Sequence, residues 1–145
     1  MKVDVITQIV IKRDAAAVFS FIANPDNAPK WYVNIRSVDW ETKPPAVLGS
    51  RIAFVAQFLG RRLAYTYEIK ELIQDAKLVM RTAEGPFPME TTYQLAQEGE
   101  GKTLMRLRNR GMPKGFSRIF APVMAMAMRR ANNADLAMLK SILEH

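Results

Sequence analysis

The chain has no cysteine, and its single histidine is its last residue. The first absence excludes disulfides, thiolate metal sites and cysteine nucleophiles. The ending Leu143-Glu144-His145 reads like the start of a vector-encoded polyhistidine tag, so residues 143–145 are expected to be tag-derived. Without a native histidine there is no Ser-His-Asp triad, no histidine general base and no histidine metal ligand. No metal and no cofactor are therefore expected. Any chemistry must use carboxylates, tyrosines, Lys, Arg or water. No apolar run approaches the roughly 20 residues that a bilayer span needs, and Met1-Lys2-Val3-Asp4 does not begin a signal peptide. A phosphate-cradling glycine loop and a Gly-x-Ser-x-Gly elbow are also missing.

What is present is ordinary for a soluble globular protein: 145 residues, 49% apolar and 24% charged. That length suits one domain over residues 1–145, large enough for a core without staples. A cytoplasmic location is the simplest expectation.

The formal net charge of +7 is unevenly placed. Between Gly101 and Ala134 there is no acid, while Lys102, Arg106, Arg108, Arg110, Lys114, Arg118, Arg129 and Arg130 contribute +8. Such a stretch suits an anionic partner, which includes an anionic ligand head or weak contact with a membrane surface. It equally suits a solvated face whose cross-strand partners are acids elsewhere. Nucleic acid is not expected, because aromatics are not interleaved with these arginines.

Periodicity supplies the elements. Residues Lys2 to Lys12 alternate and are rich in Val and Ile, which predicts a strand. Asp14 caps a short helix carrying Val18, Phe19 and Ile22. Asn24-Pro25-Asp26 starts a second helical turn, which Pro29 is expected to limit. Six strands follow, predicted over Arg36–Lys43, Ser50–Phe58, Arg62–Ile73, Lys77–Ala83, Met89–Gln97 and Lys102–Arg110. Their short connections favour antiparallel neighbours. From Phe116 to Leu143 the period is helical, with Pro122 an expected irregularity. Phe116, Ile119, Phe120, Val123, Met124, Ala127, Ala131, Ala134, Met138 and Ile142 form the expected buried stripe. A long amphipathic helix must cover one face of the sheet.

Alternation then assigns faces. Ile52, Phe54, Ala56 and Phe58 share the inner face with Tyr65, Tyr67, Ile69, Leu78, Met80, Thr82, Thr91, Tyr93, Leu95, Met105, Leu107 and Asn109. That face is apolar with isolated hydroxyls. Glu68 and Glu90 fall outside it, and Glu90 can sit beside the arginines of the last strand. No inward pair of carboxylates suits a two-carboxylate hydrolase. Asp135 is the one acid near the helical stripe. It reads either as a ligand-orienting group or base, or as a structural partner for an arginine or a backbone group.

This arrangement resembles the START / polyketide cyclase / birch-pollen-allergen superfamily, called SRPBCC. The carriers are Val18-Phe19-Ser20-Phe21-Ile22, Asn24-Pro25-Asp26-Asn27 leading to Trp31, Leu59-Gly60-Arg61-Arg62, Glu84-Gly85-Pro86-Phe87-Pro88-Met89, and the closing Asp135-Leu136 and Leu139-Lys140. The polyketide cyclase/dehydrase-like bacterial branch is the most similar. Rieske-type oxygenases of this fold hold iron with two histidines and a carboxylate, which this chain lacks. The resemblance implies an α+β helix-grip fold: a curved antiparallel sheet of about seven strands around a long C-terminal helix, with two short helices after the first strand. It also implies a cavity for a hydrophobic or amphipathic small molecule between sheet and helix. Trp31, Phe54, Phe58, Tyr65, Tyr67, Met80, Tyr93, Met105, Leu107, Asn109, Phe120, Met124 and Asp135 are its expected lining.

Three functions fit. A non-catalytic carrier or sensor of a lipid, polyketide or similar molecule is the first. The second is a metal-free cyclase or dehydratase in which Tyr65, Tyr67, Tyr93 and Asn109 position the substrate and Asp135 acts as base. The third is an interaction module using the basic surface, as a monomer or homodimer. No catalytic residue is assigned from the sequence.

Overall fold

The structure, a computed structural model, describes residues 3–112 and 120–145, the side chain of Phe120 excepted. The elements in chain order are β1 (Val3–Ile11), α1 (Ala15–Ile22), a single 3₁₀ turn (Pro25–Asn27), α2 (Ala28–Trp31), β2 (Ile35–Trp40), β3 (Arg51–Phe58), β4 (Arg61–Ile73), β5 (Lys77–Glu84), β6 (Met89–Gln97), β7 (Thr103–Gly111) and α3 (Phe120–Leu143). The seven strands make one sheet in the order β1-β7-β6-β5-β4-β3-β2, antiparallel throughout. This is the helix-grip architecture. No helix among the described residues is long and apolar enough to cross a membrane.

Local chemistry sets the boundaries. Asp14 caps α1 by accepting a hydrogen bond from the Ala17 N–H at 2.9 Å. Pro29 does not end the second helical segment as expected; it sits in the first turn of α2, where its missing N–H would have had no helical partner. The two residues between β3 and β4, Leu59 and Gly60, both have positive φ, the conformation of a tight type I′ hairpin turn. Irregularities in β4 between Thr66 and Tyr67 and between Ile69 and Glu71 bend the longest strand of the sheet. The predicted strands over β2 to β7 agree with the observed ones to within three residues at each end.

The long helix runs unbroken through Pro122, but its buried face is not the expected one. Ala121, Met124, Met128, Asn132, Asp135, Leu136, Leu139 and Leu143 are buried, whereas Val123 and Met138 from the expected stripe are exposed. The stripe is turned by about one residue, roughly 100° of helix. Phe116, Ile119, Lys114 and Arg118 lie outside the described residues. Leu143 is buried in the core, and Glu144 accepts hydrogen bonds from the Lys12 N–H and the Lys140 ammonium.

The space between sheet and α3 is filled at one end and open at the other. At the filled end, Val18, Phe19 and Ile22 of α1 meet Leu136, Leu139 and Leu143 of α3 over Ile11, Met105 and Leu107. A second cluster, around Leu63, Tyr65, Phe87, Met124 and Met128, borders the open end.

The basic arginines of β7 face outward and find partners across the strands. Arg108 binds both carboxylate oxygens of Asp4 on β1. Arg110 and Arg81 flank Glu90, which lies directly opposite both in the two ladders. Arg106 bonds the Gln8 side chain. This part of the charged stretch is a cross-paired solvated face.

Candidate functional site

The open end of the sheet–helix space is a cavity. Its volume is about 140 Å³. An apolar cavity of roughly 150 Å³ accepts a molecule the size of benzene, so this one fits one ring. Phe54 and Phe58 of β3, Leu63, Tyr65 and Tyr67 of β4, Met80 of β5, Phe87 and Met89 after it, and Met124 and Met128 of α3 form apolar walls. Unbranched thioethers re-pack at little cost around differently shaped ligands.

Polar groups gather where α3 crosses the sheet. The Tyr32 and Tyr93 hydroxyls lie 2.6 Å apart and share a hydrogen bond. The Thr91 hydroxyl donates to Asn109 Oδ1 at 2.5 Å, and Asn109 Nδ2 donates to Asn132 Oδ1 at 3.2 Å. The Tyr67 hydroxyl adjoins this chain through Thr91. Asn132 Nδ2 is buried and has no partner. One helical turn on, Asp135 Oδ1 accepts from the Val33 N–H at 2.8 Å. That bond pins α3 to the segment between α2 and β2, as the structural reading of Asp135 anticipates.

Burial controls the protonation of these groups. Desolvation pushes the Asp135 carboxyl from its ordinary 3.8 up to about 7, against the opposing pull of the Val33 N–H; the residue is only 2% exposed. Burial likewise raises Tyr67 to about 12, with the Thr91 hydroxyl pulling the other way. Tyr32, Tyr65 and Tyr93 are also raised, chiefly by burial. The tyrosines are therefore neutral hydrogen-bonding groups at physiological pH. Of these groups it is Asp135 that exchanges a proton near neutrality.

Of the residues expected to line the cavity, Phe54, Phe58, Tyr65, Tyr67, Met80, Tyr93, Asn109, Met124 and Asp135 are brought together on its wall. Trp31, Met105 and Leu107 are not. Met105 and Leu107 are wholly buried beneath the packed end, where side chains of α1 and α3 occupy the space. Trp31 lies behind the wall, its ring 4.2 Å from that of Tyr32 and 5.5 Å from that of Tyr93, and so backs both tyrosines. The Phe120 side chain lies outside the described residues. Sequence reasoning missed Tyr32, which sits at the end of α2 in a segment without periodicity, and Asn132, which sits on the misplaced face of α3. For Tyr32 the available signal was its position next to Trp31.

Comparison with known proteins agrees with this fold. No curated protein matches the chain. Among solved structures, a START superfamily protein from Mycobacterium smegmatis superimposes with a TM-score of 0.83 at 12% identity, over 97% of each chain. The Zhui aromatase/cyclase from a Streptomyces species gives 0.83 at 14% identity, covering 99% of this chain and 94% of that one. A major latex-like protein from Panax ginseng gives 0.74 at 13% identity, covering 97% of this chain and 96% of that one. At these identities the likeness is one of fold. The profile of one family matches residues 2–144, and the chain belongs to that family, described as polyketide cyclase / dehydrase and lipid transport.

Proposed function

We propose that the protein binds a hydrophobic or amphipathic small molecule, a lipid, a polyketide or a compound of similar character, in the cavity between sheet and α3. One observation carries this reading. Apolar and methionine-rich walls enclose a space that ends in a small, ordered set of hydrogen-bonding groups. Ligand pockets have that composition: hydrophobic lining with a few placed polar groups that orient the guest. The family description points the same way.

The test is native mass spectrometry of the purified protein, followed by denaturation and organic extraction. A stoichiometric co-purified molecule in the extract is the expected result. A chain that carries nothing and does not enhance the fluorescence of any hydrophobic dye refutes the reading.

The second reading, a metal-free cyclase or dehydratase, is favoured by Asp135. A carboxyl titrating near 7 beside tyrosine hydroxyls has the acidity that general acid–base catalysis needs. An aromatase/cyclase among the structural neighbours is consistent with this. Turnover of a polyketide-like substrate that survives Asp135→Asn and Tyr93→Phe unchanged removes both residues from such a mechanism.

A further inference from the structure

We propose that Asn132 determines ligand specificity: its side-chain amide receives an acceptor oxygen of an uncharged ligand, so the cavity prefers neutral carbonyl compounds to both hydrocarbons and carboxylates. The inference rests on the binding reading above and deepens it.

The hydrogen-bond chain sets the direction. Thr91 donates to Asn109 Oδ1, which leaves Asn109 Nδ2 to donate to Asn132 Oδ1. Asn132 therefore spends its acceptor inside the protein and keeps its donor unspent. The residue is 4% exposed and lines the cavity, and its Nδ2 meets no partner. Nearly all buried polar groups in folded proteins are paired, so an orphan at a cavity wall asks for a partner from the guest. A ligand oxygen that accepts here gains a bond. A ligand of the same shape without that oxygen leaves the donor unpaired.

Charge narrows the class further. Among the described residues no lysine or arginine lines the cavity. The arginines of β7 are on the opposite face of the sheet, engaged with Asp4, Gln8 and Glu90. Among the described residues the one carboxyl on the wall, Asp135, stands three residues from Asn132 on the same face of α3. A carboxylate head would lose its hydration, find no counter-ion among the described lining residues and face this carboxyl. The described wall therefore suits a neutral head.

The test uses three probes of nearly one shape: acetophenone, α-methylstyrene, in which a CH₂ replaces the carbonyl oxygen, and benzoate. Each is titrated into the intact protein near neutral pH and followed by amide chemical shifts. The expected result is that acetophenone binds at least about tenfold more tightly than either of the others, a difference of about 1.4 kcal/mol. In Asn132→Leu the preference over α-methylstyrene falls to within about twofold, while α-methylstyrene itself still binds. Equal affinity of acetophenone and α-methylstyrene for the unmodified chain overturns the proposal and leaves the binding reading standing, as does tightest binding of benzoate. Binding of none of the three also overturns the proposal, while the binding reading stands or falls with the extraction and dye experiment. The order on the unmodified chain decides the matter even where Asn132→Leu fails to fold.

Discussion

Asp135→Asn is predicted to stabilise the protein above neutral pH, although it removes a buried charged residue with a good hydrogen bond. In the unfolded chain an aspartate titrates near 3.8; in the folded chain burial holds Asp135 to about 7. Between these values the folded state keeps a proton that the unfolded state has released. Stability then falls as pH rises through the window, and is fully present only below it. Each pH unit costs about 1.4 kcal/mol, so the window of roughly three units costs about 4 kcal/mol. An asparagine is neutral at every pH and still offers an oxygen to the Val33 N–H. The assay is urea unfolding of both chains at a series of pH values. The stability difference in favour of the variant should grow from near zero at about pH 4 to about 4 kcal/mol above about pH 7, then stay flat. Glu68, Glu90 and Glu144 are held below their ordinary values by lysine or arginine partners and contribute the opposite slope at acid pH. They are common to both chains and cancel in the difference. Parallel pH profiles for the two chains would refute the account of Asp135 as a desolvated carboxyl.

Three further outcomes follow from the same geometry. Tyr32→Phe or Tyr93→Phe leaves its partner's buried hydroxyl unpaired and should each cost about 1–2 kcal/mol, while the double variant costs less than their sum; strictly additive losses in a double-mutant cycle would show that the 2.6 Å hydrogen bond carries no energy. Trp31→Ala should cost about 3–5 kcal/mol because the ring is packed on all sides, whereas Phe58→Ala at the cavity wall should cost roughly 1 kcal/mol and act mainly on ligand affinity; equal losses in urea unfolding would contradict the division into packed end and cavity. A Cβ at Gly85 would lie 2.5 Å from Cδ1 of Tyr65, so Gly85→Ala must push that ring. It should cost roughly 1–2 kcal/mol, and the cost should shrink in a Tyr65→Ala background.

The strands were legible because their signal is local. A period of two, β-branched and aromatic residues and short turn-rich connections locate β3 to β7 almost to the residue, and the same alternation correctly turns Phe54, Tyr67, Tyr93 and Asn109 inward. The opposition of Glu90 to the arginines follows from alternation plus antiparallel order. What alternation cannot say is how far the covering helices reach into the space beneath an inward side chain. Leu107 and Asn109 sit two residues apart on one face of β7, yet the first is sealed into the core and the second opens on the cavity. The difference is made by α1 and the last turns of α3, which fill one end only.

The buried face of α3 differs from the expected stripe for a related reason. A stripe fitted to apolar residues alone assumes that whatever faces inward is apolar, and it is drawn toward Val123 and Met138, which are exposed. The face that is buried carries Asn132 and Asp135 between Met124, Met128 and Leu139. Polar residues hold such positions only where something other than hydrocarbon meets them: Asn109 and an unfilled space for Asn132, the Val33 N–H and the same space for Asp135. The shift of the stripe by one residue is therefore a mark of the cavity itself. With the helix turned so that both polar residues face the sheet, Met124, Met128, Leu139 and Leu143 fall into a continuous line at spacings of three and four, interrupted only by those two. A helix whose apolar line closes only around two polar residues is one whose buried face meets a cavity as well as a core.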